Sequence, residues 1–166
     1  METRKVAYAV VLTALAVAGG LLSIPVGLAK VSPAQAMVNV LGAVMLGPWY
    51  AVAVALATSI IRNAVGTGTL FAFPGSMIGA LIAGYVYLWT RNIYLAALGE
   101  IFGTGILGSL MSILIVAPSL LNKPVDALVL TLSFLLSTIV GSVVGVMGLL
   151  VLQRAGVLKT ARHATG

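Results

Sequence analysis

Residues 34–61 read AQAMVNVLGAVMLGPWYAVAVALATSII, and how this run divides decides the fold. It is apolar apart from Gln35, Asn39 and a few small hydroxyls, with Gly47-Pro48-Trp49-Tyr50 near its middle. Proline lacks an amide donor and disfavours helix in the residue before it. Trp and Tyr favour the boundary between hydrocarbon and water. The run therefore reads as two short helices joined by a tight turn, each about 20 Å long at ~1.5 Å per residue. One kinked helix is the competing reading.

The flanking chain is built the same way. Of the 166 residues, 61% are hydrophobic and only 7% charged, against about a quarter charged in soluble domains. The mean hydropathy is +1.18. About 20 apolar residues cross the ~30 Å of hydrocarbon as helix. Spans are expected at 6–24, 34–46, 49–62, 73–90, 94–116 and 127–152, followed by a short basic tail at 153–166. This is an all-α integral membrane protein, a single domain folded as a compact six-helix bundle within lipid. Continuous apolar runs, without alternation, exclude an outer-membrane barrel. Ala34-Gln35-Ala36 has the spacing of a signal-peptide cleavage site. The first apolar run nevertheless exceeds the usual core of about 7–15 residues, and it reads as a span.

Charge bias separates six spans from five. With six, Arg4, Lys5, Arg91, Arg154, Lys159 and Arg162 share one side, while Lys30, Arg62 and Lys123 share the other. Five spans would split the basic residues four against five, without bias. Basic residues concentrate on the cytoplasmic side, so both termini are expected there. The net charge of +6 reflects this topology, and no nucleic-acid partner is expected. With no cysteine, and with its one histidine, His163, in the tail, the chain offers no disulfide, no metal cluster and no catalytic constellation. No enzyme, cofactor or metal is expected.

Gly75, Gly79 and Ala83 recur every four residues, as do Ser137, Gly141 and Gly145, and Gly99 pairs with Gly103. Small residues on one helix stripe let backbones approach closely, which suits a packed bundle. Ala14 and Ala18 share that spacing on the first span.

Candidate ligand groups cluster at the expected outer side. The loop from Arg62-Asn63 through Thr67 to Phe71, Phe73 and Gly75 combines glycines, an amide, hydroxyls and two rings. Such a loop can fold over a small aromatic ligand, or be no more than a connector. It lacks the lysine and glycine frame of a nucleotide-binding loop. Gln35 and Asn39, four apart, project from one helix face and either bond a neighbouring helix or a ligand. Arg62 serves that vestibule or snorkels to headgroups. Glu100 is the one acid inside an apolar span, with Thr104 a turn later. An intramembrane carboxyl marks a functional-site candidate, although the six-span topology brings it in from the cytoplasmic end, about 10 Å deep.

Three segments in this order carry a resemblance: Leu46-Gly47-Pro48-Trp49-Tyr50; Arg62-Asn63 through Gly66-Thr67-Gly68-Thr69 to Phe73-Pro74-Gly75-Ser76-Met77-Ile78-Gly79; and Leu98-Gly99-Glu100 to Gly103-Thr104-Gly105. The chain resembles the S components, the substrate-binding subunits, of energy-coupling-factor (ECF) transporters, specifically the ThiW family, from about Arg4 through Leu152. The resemblance implies a six-helix bundle in a prokaryotic inner (plasma) membrane. It further implies capture of a vitamin precursor on the outer side and docking on a T component coupled to two ATPase subunits. The family's docking stripe, an alanine repeated after four residues on the first helix, is matched by Ala14 and Ala18. The implied ligand is the thiamine precursor hydroxyethylthiazole. Its pocket would be formed by Gln35, Asn39, Arg62, Asn63, Thr67 and Phe71, with Phe73, Glu100 and Thr104 as further candidates. A ring of Phe71 or Phe73 would stack on the thiazole while Asn39, Asn63 or Thr67 bonds its hydroxyl and nitrogen. The rival readings are another vitamin or thiamine-related ligand, a gradient-driven stand-alone carrier, for which inverted repeats are expected, and a non-transporting scaffold subunit.

Overall fold

The computed structural model describes residues 2–26, 29–121 and 126–156. Gly27, the connector residues Asn122, Lys123 and Pro124, and the tail from 157, with Lys159, Arg162 and His163, lie outside the described residues. The described chain forms six helices. They are α1 (Glu2–Gly19, prolonged by a 3-10 turn, Gly20–Leu22), α2 (Pro33–Leu46), α3 (Pro48–Ala64), α4 (Ala72–Thr90), α5 (93–121) and α6 (Ala127–Arg154).

The run 34–61 divides where the sequence predicts. Gly47 between α2 and α3 has φ +90°, a conformation open to glycine without strain. Pro48 opens α3 at its first position, where an amide donor would have no partner anyway. Gly42 then packs against Ala51, so α2 and α3 double back as a helical hairpin. Side-chain caps start two later helices. Asn92 accepts from the amides of Tyr94 and Leu95 at 2.8 and 3.3 Å, and Asp126 from those of Leu128 and Val129 at 2.9 and 3.1 Å.

Two features depart from the sequence reading. The connector after α1 contains an antiparallel hairpin, β1 (Ile24–Val26) and β2 (Ala29–Val31), with Pro25 opposite Lys30. Ile24, Val26 and Val31 suit strands, but three-residue strands are too short to show a period of two. Helix α5 also runs beyond the expected end at residue 116. It begins as α-helix (Ile93–Glu100), widens to π-helix at Ile101–Gly108 and again at Ser112–Leu121, and contains Pro118. A π adjustment is one way a membrane helix absorbs the donor that proline lacks.

Neighbouring helices alternate in direction. Gly84 lies against Pro48, Gly99 against Ala83 and Gly108 against Gly75. Helices α2 and α6 run parallel, since Gly141 meets Pro33 and Ala36 while Gly145 meets Met37 and Val40. Lys5 sits 5.6 Å over the Tyr50 ring, and residues 90–94 line a cleft with Gln153 and Arg154. The start of α1, the α2–α3 turn, the α4–α5 connection and the end of α6 therefore share one end, the terminal end. The β-hairpin and the loop after α3 share the other, the loop end.

Among the described residues, four helices are long and apolar enough to cross a membrane: Thr3–Leu22, Ala72–Thr90, Ile93–Ser119 and Ala127–Arg154. With 14 and 17 residues, α2 and α3 reach only about 21 and 26 Å. Burial is inverted relative to a soluble protein. Val10, Leu114, Leu128 and Val151 are exposed, while Ser59, Ser112, Thr138 and Ser142 are buried. Such an apolar shell over a polar, small-residue interior belongs to a multi-pass membrane protein.

The closest backbone approaches should be the least tolerant of added volume. A Cβ on Gly141 would overlap the Pro33 carbonyl, which no side-chain rotation relieves, whereas one on Gly148 would rest 3.7 Å from Leu41. Gly141→Ala is expected to lose about 1–3 kcal/mol and Gly148→Ala almost nothing, measured by thermal denaturation of the purified protein in detergent.

Candidate functional site

Glu100 anchors the buried polar centre. It is wholly buried, in α5 beside Gly79 of α4. Asn39 Nδ2 donates to its Oε1 at 2.9 Å and to the Ser76 carbonyl at 3.1 Å. The Thr104 hydroxyl stands 2.8 Å from the same oxygen and 3.0 Å from the Gly75 carbonyl. Gly79 makes the room, since a Cβ there would overlap both Thr104 Oγ1 and Glu100 Oε2. Gln35 Nε2 reaches Asn39 Oδ1 at 3.4 Å, extending the chain of amides toward the loop end. Spacing of four on one face of α2 brings these two amides together, as the sequence predicts.

Arg62 closes α3 at the loop end. Only 3% of it is exposed. It lies across Gly20, where a Cβ would stand 2.5 Å from its Nε. Its Nη2 donates to the Thr67 carbonyl at 3.3 Å. Its own carbonyl accepts from the amides of Thr67 and Gly68 at 2.9 and 2.8 Å. The glycines serve this turn. Gly66 has φ +77°, and a Cβ on Gly68 would stand 2.8 Å from Asn63 Nδ2. The loop thus folds tightly back on the end of α3, and Lys30 of β2 pins it by donating to the Gly66 carbonyl at 3.1 Å.

Between these two groups lies a cavity of about 50 Å³ that Gln35, Arg62, Ser76 and Thr104 help to line. Lys30, Ser32 and Thr69 border it at the loop end, and Phe134 and Ser137 supply the α6 wall. Three of these residues hold buried polar atoms without a hydrogen-bond partner: Ser32 Oγ, Gln35 Oε1 and Arg62 Nε. Unpartnered buried polar atoms are uncommon and call for an explanation. All three belong to residues that line this cavity, where a bound molecule would meet hydrogen-bonding groups.

The sequence candidates separate in space. Gln35, Asn39, Arg62, Glu100 and Thr104 form one connected region. Asn63 is turned to its own helix and loop, donating to the carbonyls of Ser59 at 2.8 Å and Thr69 at 3.3 Å. Thr67 offers its carbonyl to Arg62 and does not border the cavity. Phe71 is buried among Val116, Ala117 and Leu130, and its carbonyl accepts from Ser112 at 3.2 Å. Phe73 is half-buried near the start of α4. The ring at the cavity is Phe134, which sequence reasoning passed over along with Lys30, Ser32, Thr69, Ser76 and Ser137. A signal existed, because Phe134 precedes Ser137, Gly141 and Gly145 on the same inward stripe. Ala14 and Ala18 are exposed on α1. Ala14 borders an open apolar groove with Val10 and Val17, closed on its other side by Ala53, Ala57 and Ile61 of α3.

An apolar bundle with buried polar groups around a small cavity at one end defines a polytopic membrane protein with an internal site. The family described as thiamine-precursor transporter protein (ThiW) matches residues 6–155. The chain belongs to this family, one of transporters and not of enzymes. Neither the curated proteins nor the solved structures yield a match.

The carboxyl and its donors should behave as one unit. Asn39→Asp removes a donor and sets a second carboxyl against Glu100, which is expected to cost about 2 kcal/mol or more. Adding Glu100→Gln should restore most of that loss, since a donor–acceptor pair is re-formed. Thermal denaturation of the two single variants and the double variant measures the coupling.

Proposed function

We propose that the chain is the S component of an ECF importer and captures a thiamine precursor, hydroxyethylthiazole, from outside the cell for ATP-driven uptake. All six helices would cross a prokaryotic plasma membrane, with both termini cytoplasmic and the loop end facing out. The supporting observation is the cavity at the loop end, where Ser32, Gln35 and Arg62 each keep a buried polar atom unpartnered beside the Phe134 ring. A thiazole alcohol complements that set. Its ring stacks on Phe134, its hydroxyl donates to Gln35 Oε1, and its nitrogen and oxygen accept from Arg62 and Ser32. Asn39, Glu100 and Thr104 hold the floor, and Asn63 and Thr67 shape the loop that carries Arg62. Transport energy would come from a T component with two ATPase subunits, reached through Ala14 and Ala18 on the exposed face of α1.

Titration of purified protein with hydroxyethylthiazole checks the capture step. Binding is expected, and Phe134→Ala should weaken it about tenfold, in line with one stacking contact of about 0.5–1.5 kcal/mol plus lost burial. Equal affinity in Phe134→Ala and Gln35→Ala would remove this cavity from the account. Docking is checked separately by co-purification: Ala14→Leu/Ala18→Leu should lose the T and ATPase subunits while keeping the ligand-induced thermal shift. Transport in vesicles by the chain alone would instead mark a stand-alone carrier.

A further inference from the structure

The cavity wall is lopsided in charge. Lys30 and Arg62 both line it, the remaining polar lining consists of hydroxyls and the Gln35 amide, and no carboxylate among the described residues lines it. Glu100 sits behind Thr104, occupied by Asn39 and Thr104 through one oxygen. A guanidinium as buried as Arg62 costs several kcal/mol to desolvate unless an anion or a full set of acceptors surrounds it. Among the described residues it meets one neutral carbonyl, and its Nε has no partner. Lys30 is likewise held by a single carbonyl, that of Gly66. Two cations therefore line one small space, and among the described residues no carboxylate pairs with either; Glu100 lies one side chain deeper, bonded to Asn39 and Thr104.

We infer that the site prefers a precursor carrying an anionic group, a carboxylate or a phosphate ester on the heteroaromatic ring's side arm, over the neutral alcohol. The anion completes the coordination of Arg62 and Lys30, and Ser32 and Ser137 add donors from their hydroxyls. Gln35, whose amide nitrogen is held by Asn39 Oδ1, takes no part in binding the anion. Charge-assisted hydrogen bonds of this kind are roughly twice as strong as neutral ones, and Lys30 at the mouth draws anions inward. The inference rests on this cavity being the capture site and changes only the charge of the ligand that fills it.

Three probes test it on the purified full chain in lipid nanodiscs: hydroxyethylthiazole, its phosphate ester, and the thiazole with a carboxymethyl arm in place of the hydroxyethyl. At least one anionic probe is expected to bind about tenfold or more tighter than the alcohol, and the stronger of the two identifies the anion. Arg62→Gln should weaken binding of the preferred anionic probe about tenfold more than that of the alcohol, and Arg62→Lys should restore part of the difference. If Arg62→Gln does not fold, Lys30→Gln at the mouth must narrow the same preference. Binding of the alcohol alone, or an equal loss for charged and neutral probes in these variants, overturns the inference and leaves the importer reading standing. Binding of none of the three overturns both.

Discussion

A carboxyl surrounded by hydrocarbon must find its partners inside the protein, and the middle of this bundle is arranged around that requirement. Glu100 receives donors from α2 through Asn39 and from its own helix through Thr104, and α4 yields space for it by having no side chain at Gly79. Three helices are thereby held in one register. Asn39 also bonds the Ser76 carbonyl, and the Thr104 hydroxyl, whose single proton is shared between Glu100 and the Gly75 carbonyl 3.0 Å away, lies against the same loop-end half of α4. Sliding any of these helices by one turn would strand a buried polar group, which is costly where no water can replace the partner.

Small residues supply the attraction that lipid does not. Apolar side chains gain little by leaving lipid for a helix interface, so packing must come from close contact. Ala43, Ala51, Ala55, Ala80 and Ala83 form one such seam between α2, α3 and α4. Gly108 meets the Gly75 backbone, and Gly103 that of Gly79. Gly103 and Gly108 fall in the π-helical part of α5, whose coil is wider than that of an α-helix. Bulky residues there would force the helices apart and open the polar centre. The absence of side chains and the widened turn therefore fall on one stretch of α5.

Much of this was legible in the sequence, for reasons that also explain what was not. Gly47-Pro48 announced a break because both residues restrict the backbone locally, whatever surrounds them. Gln35, Asn39, Arg62, Glu100 and Thr104 stood out because polar groups are rare in an apolar chain, and a bundle interior collects them. Phe134 did not stand out by itself, since one ring in the continuous apolar run of α6 shows its face only through its place ahead of Ser137, Gly141 and Gly145 on one stripe. Phe71 looked available because it neighbours glycines, yet its apolar bulk is drawn into the cluster with Val116 and Leu130. The β-hairpin and the continuation of α5 through Pro118 depend on tertiary packing and on hydrogen-bond shifts that local propensity does not encode.

The same physics decides where this molecule can give. A cavity of about 50 Å³ holds a few waters and falls well below the ~300 Å³ at which ligand pockets begin, so a heteroaromatic ring needs added room. The terminal-end half of the bundle cannot provide it. Gly84 rests on the Pro48 backbone, and Gly145 lies close to the Met37 carbonyl, so movement there means separating backbones. The loop end is tied more lightly, with Lys30 reaching Gly66 at 3.1 Å and Arg62 reaching Thr67 at 3.3 Å. Both ties are single hydrogen bonds to carbonyls, and a ligand offering better acceptors to the two cations competes with them directly. On the proposed reading, the groups that would recognise the ligand are the ones that close the cavity, and filling it would exchange a weak internal contact for a stronger external one.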